Sequence, residues 1–173
     1  MRDFRKPLVV MSPKSLLRHP RVVSGWKEFE KGSFQELIKD PVAPTDKSVE
    51  RLILCSGKLY YDLEKAREDD FKNRMKDTAI VRLEQLYPLP ETQLNQLIQS
   101  YPKLKRLIWA QEEPKNMGAW SYIFPQLLDL KEKLGLKGIE IEYVGRSLRA
   151  SPATGSHKTH AKEQQDILNK SLS

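Results

Sequence analysis

Residues 145–155, G-R-S-L-R-A-S-P-A-T-G, hold the densest set of groups that could do chemistry. Two arginines, three hydroxyl side chains and two glycines lie between a strand pattern and a helix pattern. Arginine forks together with backbone N–H groups make an anion site for a phosphate or a carboxylate. An ordered loop whose arginines pair with Glu112 or Glu113 would use the same residues, and the pattern leaves both readings open. Residues 55–58, C-S-G-K, offer a second place where a phosphate could meet a helix N-terminus. The spacing G-x-x-x-x-G-K-[ST] is absent, however, and Ser56 as a helix cap explains the stretch more simply.

Other candidate chemistry is poorer. Glu112 and Glu113 are adjacent, and neighbours in an extended segment point to opposite sides, which is wrong for two carboxylates sharing one substrate atom. His157 and His160 have a spacing that can chelate a metal on a helix, but no Cys, Asp or third His stands nearby to complete a zinc set. Cys55 lacks a neighbouring base and suits a small buried residue at a strand end.

The elements that must position these residues alternate in type. Residues 50–55, 78–83, 105–110 and 139–144 read as strands. Residues 57–74, 91–101, 116–134 and 158–172 read as helices, with Leu59, Leu63 and Ala66 on one face of the first and Leu94, Leu97 and Ile98 on the second. Pro90 suits a first helical turn and Pro102 ends that helix. Pro125 should kink or break the third. Such alternation predicts an α/β domain, a mostly parallel sheet with helices on both faces. Ligands and partners of such sheets meet the loops at the carboxyl ends of the strands, here residues 55–58, 85–90, 108–120 and 145–155.

Residues 7–11 read as a short buried strand and residues 14–18 as one helical turn. Residues 19–48 are punctuated by Pro20, Gly25, Gly32, Pro41 and Pro44, with a short helix near 26–30, and form an extended arm. A lone strand followed by a long arm has no partner of its own, which suggests that it completes something upstream.

Composition excludes several classes. The 173 residues are 39% hydrophobic and 31% charged, a globular mixture. No apolar run approaches the roughly 18 residues of a membrane span, and the charged start has no apolar stretch after it, so neither a membrane anchor nor a secretory signal is expected. One cysteine allows no internal disulfide and points to a reducing compartment. The formal charge of +7 is mostly local. Residues 1–31 carry Arg2, Arg5, Lys6, Lys14, Arg18, Arg21, Lys27 and Lys31 against Asp3, Glu28 and Glu30. Aromatic residues are not interleaved with these cations, so no nucleic-acid partner is expected.

Five stretches in order carry a family resemblance: residues 5–20 (R-K-P-L-V-V-M-S-P-K-S-L-L-R-H-P), 55–63 (C-S-G-K-L-Y-Y-D-L), 81–90 (V-R-L-E-Q-L-Y-P-L-P), 111–120 (Q-E-E-P-K-N-M-G-A-W) and 143–155. Together the chain resembles the C-terminal region of the thiamine-dependent E1 component of 2-oxoglutarate dehydrogenase, in the transketolase-like superfamily. Ser147-Leu148-Arg149 departs from it, since the family has smaller residues there.

The resemblance implies a transketolase C-terminal-like three-layer domain at 49–173. It also implies that residues 1–48 are the last strand of a preceding pyrimidine-binding domain plus a linker. It implies that the whole enzyme decarboxylates 2-oxoglutarate on thiamine diphosphate with magnesium and passes succinyl to lipoyl-E2 in the TCA cycle, while this segment holds neither cofactor and has no catalysis of its own. The implied partners are the upstream E1 domains, a second E1 in a homodimer, the E2 succinyltransferase and E3. Some members of the family bind an acyl-CoA or AMP regulator on this domain, and charge and position make Arg146 and Arg149 the candidates for its phosphate contact, with Lys58 and Arg82 as weaker strand-end candidates. A bacterial cytoplasm is the expected compartment, or the mitochondrial matrix in a eukaryote. Two other readings stand beside this one: the corresponding domain of a 2-oxoadipate dehydrogenase E1, and a free-standing nucleotide- or CoA-binding module.

Overall fold

The computed structural model describes residues 4–7, 9–69 and 75–173. The chain divides into two units, residues 1–33 and 34–173.

In the first unit, a 3-10 turn at Lys14–Leu16 precedes helix α1 (Trp26–Lys31). Glu28 starts the helix by accepting the Gly25 N–H at 2.7 Å, half of a capping box. None of the α1 residues is buried. The strand expected at 7–11 falls partly outside the described residues, at Leu8. Pro7, Val9, Val10 and Met11 are in no strand, and Val9, Val10 and Met11 are exposed. The physical reason is the one the sequence already carries: a single extended segment with no neighbouring edge has nothing to pair its backbone with.

The second unit is a five-stranded sheet in the order β1-β3-β2-β4-β5. Its strands are β1 (Leu37–Ile38), β2 (Arg51–Cys55), β3 (Thr78–Leu83), β4 (Arg106–Pro114) and β5 (Glu140–Arg146). All neighbours run parallel except β1, which lies antiparallel on β3 through the pairs Leu37–Leu83 and Ile38–Arg82. The helices are α2 (Leu59–Asp69), α3 (Glu91–Ser100), α4 (Trp120–Lys133) and α5 (His157–Leu172).

The alternation of side chains along each strand builds three layers. Leu52 and Leu54 of β2, with Ala79, Val81, Leu107 and Trp109, pack against α3 and α4. Ile53 and Cys55, with Ile80, Ile108 and Ala110, pack against α2 and α5. Both faces are therefore apolar, which is why these strands read as unbroken hydrophobic runs. No helix among the described residues is long and apolar enough to cross a membrane.

Several boundaries differ from the sequence expectation. β4 continues four residues past Ala110, with a register irregularity between Ala110 and Pro114, so the loop expected at 111–114 is strand and α4 begins only at Trp120. α4 runs unbroken through Pro125. α2 is described to Asp69, and the expected continuation over 70–74 lies outside the described residues. Residues 34–48 do not behave as free arm, because β1 joins the sheet and Asp40 is buried beneath it.

Candidate functional site

Strand order reverses beside β2: β3 follows on one side, and β4 returns to the other. The crevice between the carboxyl ends of β2 and β4 is where open sheets of this kind take ligands. Here Lys58 closes it. Its ammonium sits 2.9 Å from Glu112 on β4 and 2.8 Å from Asp62 one turn into α2. Gln164 of α5 donates to the same Asp62 oxygen at 3.0 Å. Burial opposes the charge on Lys58, but hydrogen bonds to Asp62 and Glu112 outweigh it and hold its pKa above the ordinary value. Lys58 is thus a fixed cation and no general base. Glu112 reaches Lys58, whereas Glu113 takes part through its backbone carbonyl, which accepts the Tyr143 hydroxyl at 3.0 Å. The two carboxylates do not converge. α2 opens at Leu59, which makes Lys58 and not Ser56 the residue next to the helix start.

Cys55 is fully buried, and its Sγ lies 3.8 Å from the Val81 carbonyl. Burial, with Glu84 adding to it, pushes the thiol far above its ordinary pKa, so no thiolate nucleophile is available. Arg82 lies with its guanidinium carbon 4.6 Å from the Tyr60 ring centre and 5.7 Å from that of Tyr61, and it donates to the Tyr61 hydroxyl at 3.0 Å.

The next loop is built around Gln111, a buried amide that works at both ends. Its Oε1 accepts from the Trp109 indole N–H at 2.8 Å and from the Trp120 backbone N–H at 3.0 Å, satisfying a free donor at the start of α4. Its Nε2 donates to the carbonyls of Pro114 at 3.1 Å and Met117 at 2.8 Å. Gly118, at φ +64°, comes so close that a Cβ there would lie 2.9 Å from that nitrogen. Tyr143 ties β5 to the same loop: its hydroxyl also lies 2.8 Å from the Arg146 carbonyl, and burial pushes the phenol up to about 12.

The end of β5 feeds a cleft of about 340 Å³ against α5, lined among others by Arg146, Arg149, Lys162, Glu163, Asp166 and Lys170. Glu163 is its centre. Arg146 Nε lies 3.0 Å from the Glu163 carboxylate, Arg149 Nη2 binds the other oxygen, and the Thr154 hydroxyl donates at 2.6 Å. The hydrogen bond from Thr154 first, then the one from Arg149 and the charges of Arg149 and Arg146, hold the Glu163 carboxyl below its ordinary pKa. Arg146 Nη2 lies 2.9 Å from His160 Nδ1. A guanidinium can only donate, so Nδ1 accepts and the ring proton sits on Nε2. His160 is therefore an arginine partner, and no group of three or more His, Cys, Asp or Glu among the described residues could hold a metal ion.

The model of the 2-oxoglutarate dehydrogenase C-terminal family matches residues 23–172. The chain belongs to that family. Its relatives include the 2-oxoglutarate dehydrogenase E1 component of Rickettsia conorii, 44% identical over 98% of this chain and 18% of the relative. The mitochondrial 2-oxoglutarate dehydrogenase of Caenorhabditis briggsae is 45% identical over 96% of this chain and 16% of the relative. The E1 component of a Geobacillus species is 42% identical over 96% and 17%. The chain thus spans less than a fifth of the length of these relatives.

For this family member, the four candidate cations do not form one site. Arg146 and Arg149 share the β5–α5 cleft, Lys58 fills the β2–β4 crevice, and Arg82 lies on the tyrosines of α2. Each already has a protein partner. The two arginines pair neither with Glu112 nor with Glu113 but with Glu163, which the sequence reading missed along with Lys162, Lys170 and Gln111. On α5, Lys162, Asp166 and Lys170 recur at helical spacing that looks like any solvated face, so only the fold of the 147–156 loop picks them out.

Proposed function

We propose that this chain is the C-terminal assembly and regulatory domain of a 2-oxoglutarate dehydrogenase E1. In this reading the whole enzyme decarboxylates 2-oxoglutarate and passes succinyl to the lipoyl arm of E2, with E3 completing the complex in the TCA cycle of a bacterial cytoplasm. The observation that carries it is the match over residues 23–172 to the family, joined to 41–45% identity with relatives named as the E1 component or the dehydrogenase itself. Residues 1–48 are assigned as the last strand of a preceding pyrimidine-binding domain plus a linker, whose final part, residues 34–48, packs with the sheet unit. The exposed Val9, Val10 and Met11 support this, since apolar residues of that kind suit a strand waiting for an edge.

Thiamine diphosphate and magnesium belong, in this account, to the rest of the polypeptide. The ionisable groups at the strand ends support a non-catalytic role, because Lys58 is locked between two carboxylates and Cys55 is held as a buried thiol. The domain's tasks are then to pack in the E1 homodimer and to hold a regulator, an acyl-CoA or AMP, through a phosphate. Arg146 and Arg149 are its primary contacts and Lys58 and Arg82 further ones. Removing the codons for residues 49–173 in the source cell should abolish 2-oxoglutarate-dependent NAD reduction in extracts. Undiminished activity would contradict the proposal.

A further inference from the structure

The β5–α5 cleft carries four cations, Arg146, Arg149, Lys162 and Lys170, against two carboxylates, Glu163 and Asp166. Glu163 alone touches the arginines, and the fit is incomplete. Arg146 is about nine-tenths buried, yet its Nε, 3.0 Å from the carboxylate, is left without a hydrogen bond because the N–H is not aimed at that oxygen. A buried donor of this kind is costly to leave unmet. The Glu163 carboxylate, already shared between Arg149 and Thr154, offers it no aligned oxygen, whereas a phosphate presents oxygens in several directions and more charge. Lys162 precedes Glu163 directly and Lys170 stands two helical turns on, so further cations line the same wall.

We propose that this cleft is a gated site for a phosphate-bearing ligand. Glu163 is the internal anion that the phosphate displaces from Arg149, and Lys162 and Lys170 are the ligand's outer contacts. The inference rests on the arginine reading given above and adds the gate to it. Arg149 can lose Glu163 without losing its place. Its backbone N–H and carbonyl are paired with the Asn116 amide at 3.1 and 2.8 Å. The Thr154 hydroxyl is held chiefly by Glu163 at 2.6 Å, with only a long contact of 3.5 Å from Arg149 Nη1 besides, so displacement also loosens the 150–156 segment from α5. The apparent affinity is then set by how often the carboxylate leaves.

The test is calorimetric titration of the full chain with inorganic pyrophosphate at fixed ionic strength. Glu163→Gln should bind about tenfold more tightly than the wild type, the size of one charge-assisted hydrogen bond. Asp166→Asn makes the same change of charge in the same cleft, but Asp166 pairs with neither arginine, so it should gain no more than about twofold. Thr154→Val loosens the grip on Glu163 without altering charge and should also tighten binding, which keeps the test decisive if Glu163→Gln fails to fold. Equal gains in Glu163→Gln and Asp166→Asn would overturn the gate in favour of plain charge. Wild-type binding that Glu163→Gln leaves unchanged or weakens would overturn the gate while sparing the arginine site. Absence of binding in every variant would overturn both.

Discussion

Gln111 is one amide whose loss should be felt in two elements at once. Gln111→Leu strips the acceptor from the Trp109 indole and from the first N–H of α4 while keeping the volume. Two buried donors left unmet should cost about 3 kcal/mol, read as a lower urea midpoint at unchanged slope. The side chain's importance was not legible in the sequence, because a glutamine after an apolar run looks like the start of any polar loop. The arginines of 145–155 were legible, since a strand-end loop with two of them advertises an anion. Their actual partner was not. Glu163 lies fourteen residues beyond Arg149, across a loop whose path depends on Asn116 and Thr154, and no local spacing encodes that return.

Among elements, the short β1 strand shows how tertiary context outruns pattern. Two residues cannot establish a period, so residues 34–48 look like arm. What recruits them is Asp40, whose side chain is fully buried and holds Arg67 of α2, the backbone N–H of Ile80 on β3 at 2.9 Å and that of Val42 at 3.1 Å. Asp40→Ala leaves a buried guanidinium without its counter-charge and should cost about 3–5 kcal/mol in equilibrium unfolding. Pairing that change with Arg67→Met should recover much of the loss; a double variant as unstable as the sum of both would argue against this tie.

The longer strands were legible because both of their faces are buried and their residues apolar throughout. The end of β4 was not, since Gln111–Pro114 owe their extension to β5 and Tyr143 rather than to composition. The same strand pair carries a pH dependence. The Arg106 hydrogen bonds, including one of 2.8 Å to Glu142 Oε2, hold the Glu142 carboxyl below its ordinary value of 4.5. A lowered folded-state pKa gives stability that is present above about pH 4.5 and is lost as the pH falls through the lowered value. Both groups are partly exposed, so the effect should stay near or below about 1 kcal/mol. Glu142→Gln should therefore be less stable than the wild type at neutral pH, with the gap closing in acid. A gap independent of pH would contradict the assignment.

For the whole molecule, two units with different surfaces fit a chain that is part of something larger. The sheet unit buries a core on both faces, while the described residues 4–33 leave Val9, Val10, Met11, Leu17, Trp26 and Phe29 exposed. Family membership and fold class were both legible, the first from long strings recurring in order and the second from strand–helix alternation. The proposed division of labour with other domains rests, in the sequence, only on the strand expected at residues 7–11, for which the chain offers no partner. The most direct measurement is the size of the native polypeptide, by immunoblot of source-cell extract with antiserum against this chain. A band several times heavier than 20.1 kDa is the predicted result. A single band at that mass would contradict the account, and the search would turn to what the β5–α5 cleft binds without an attached E1.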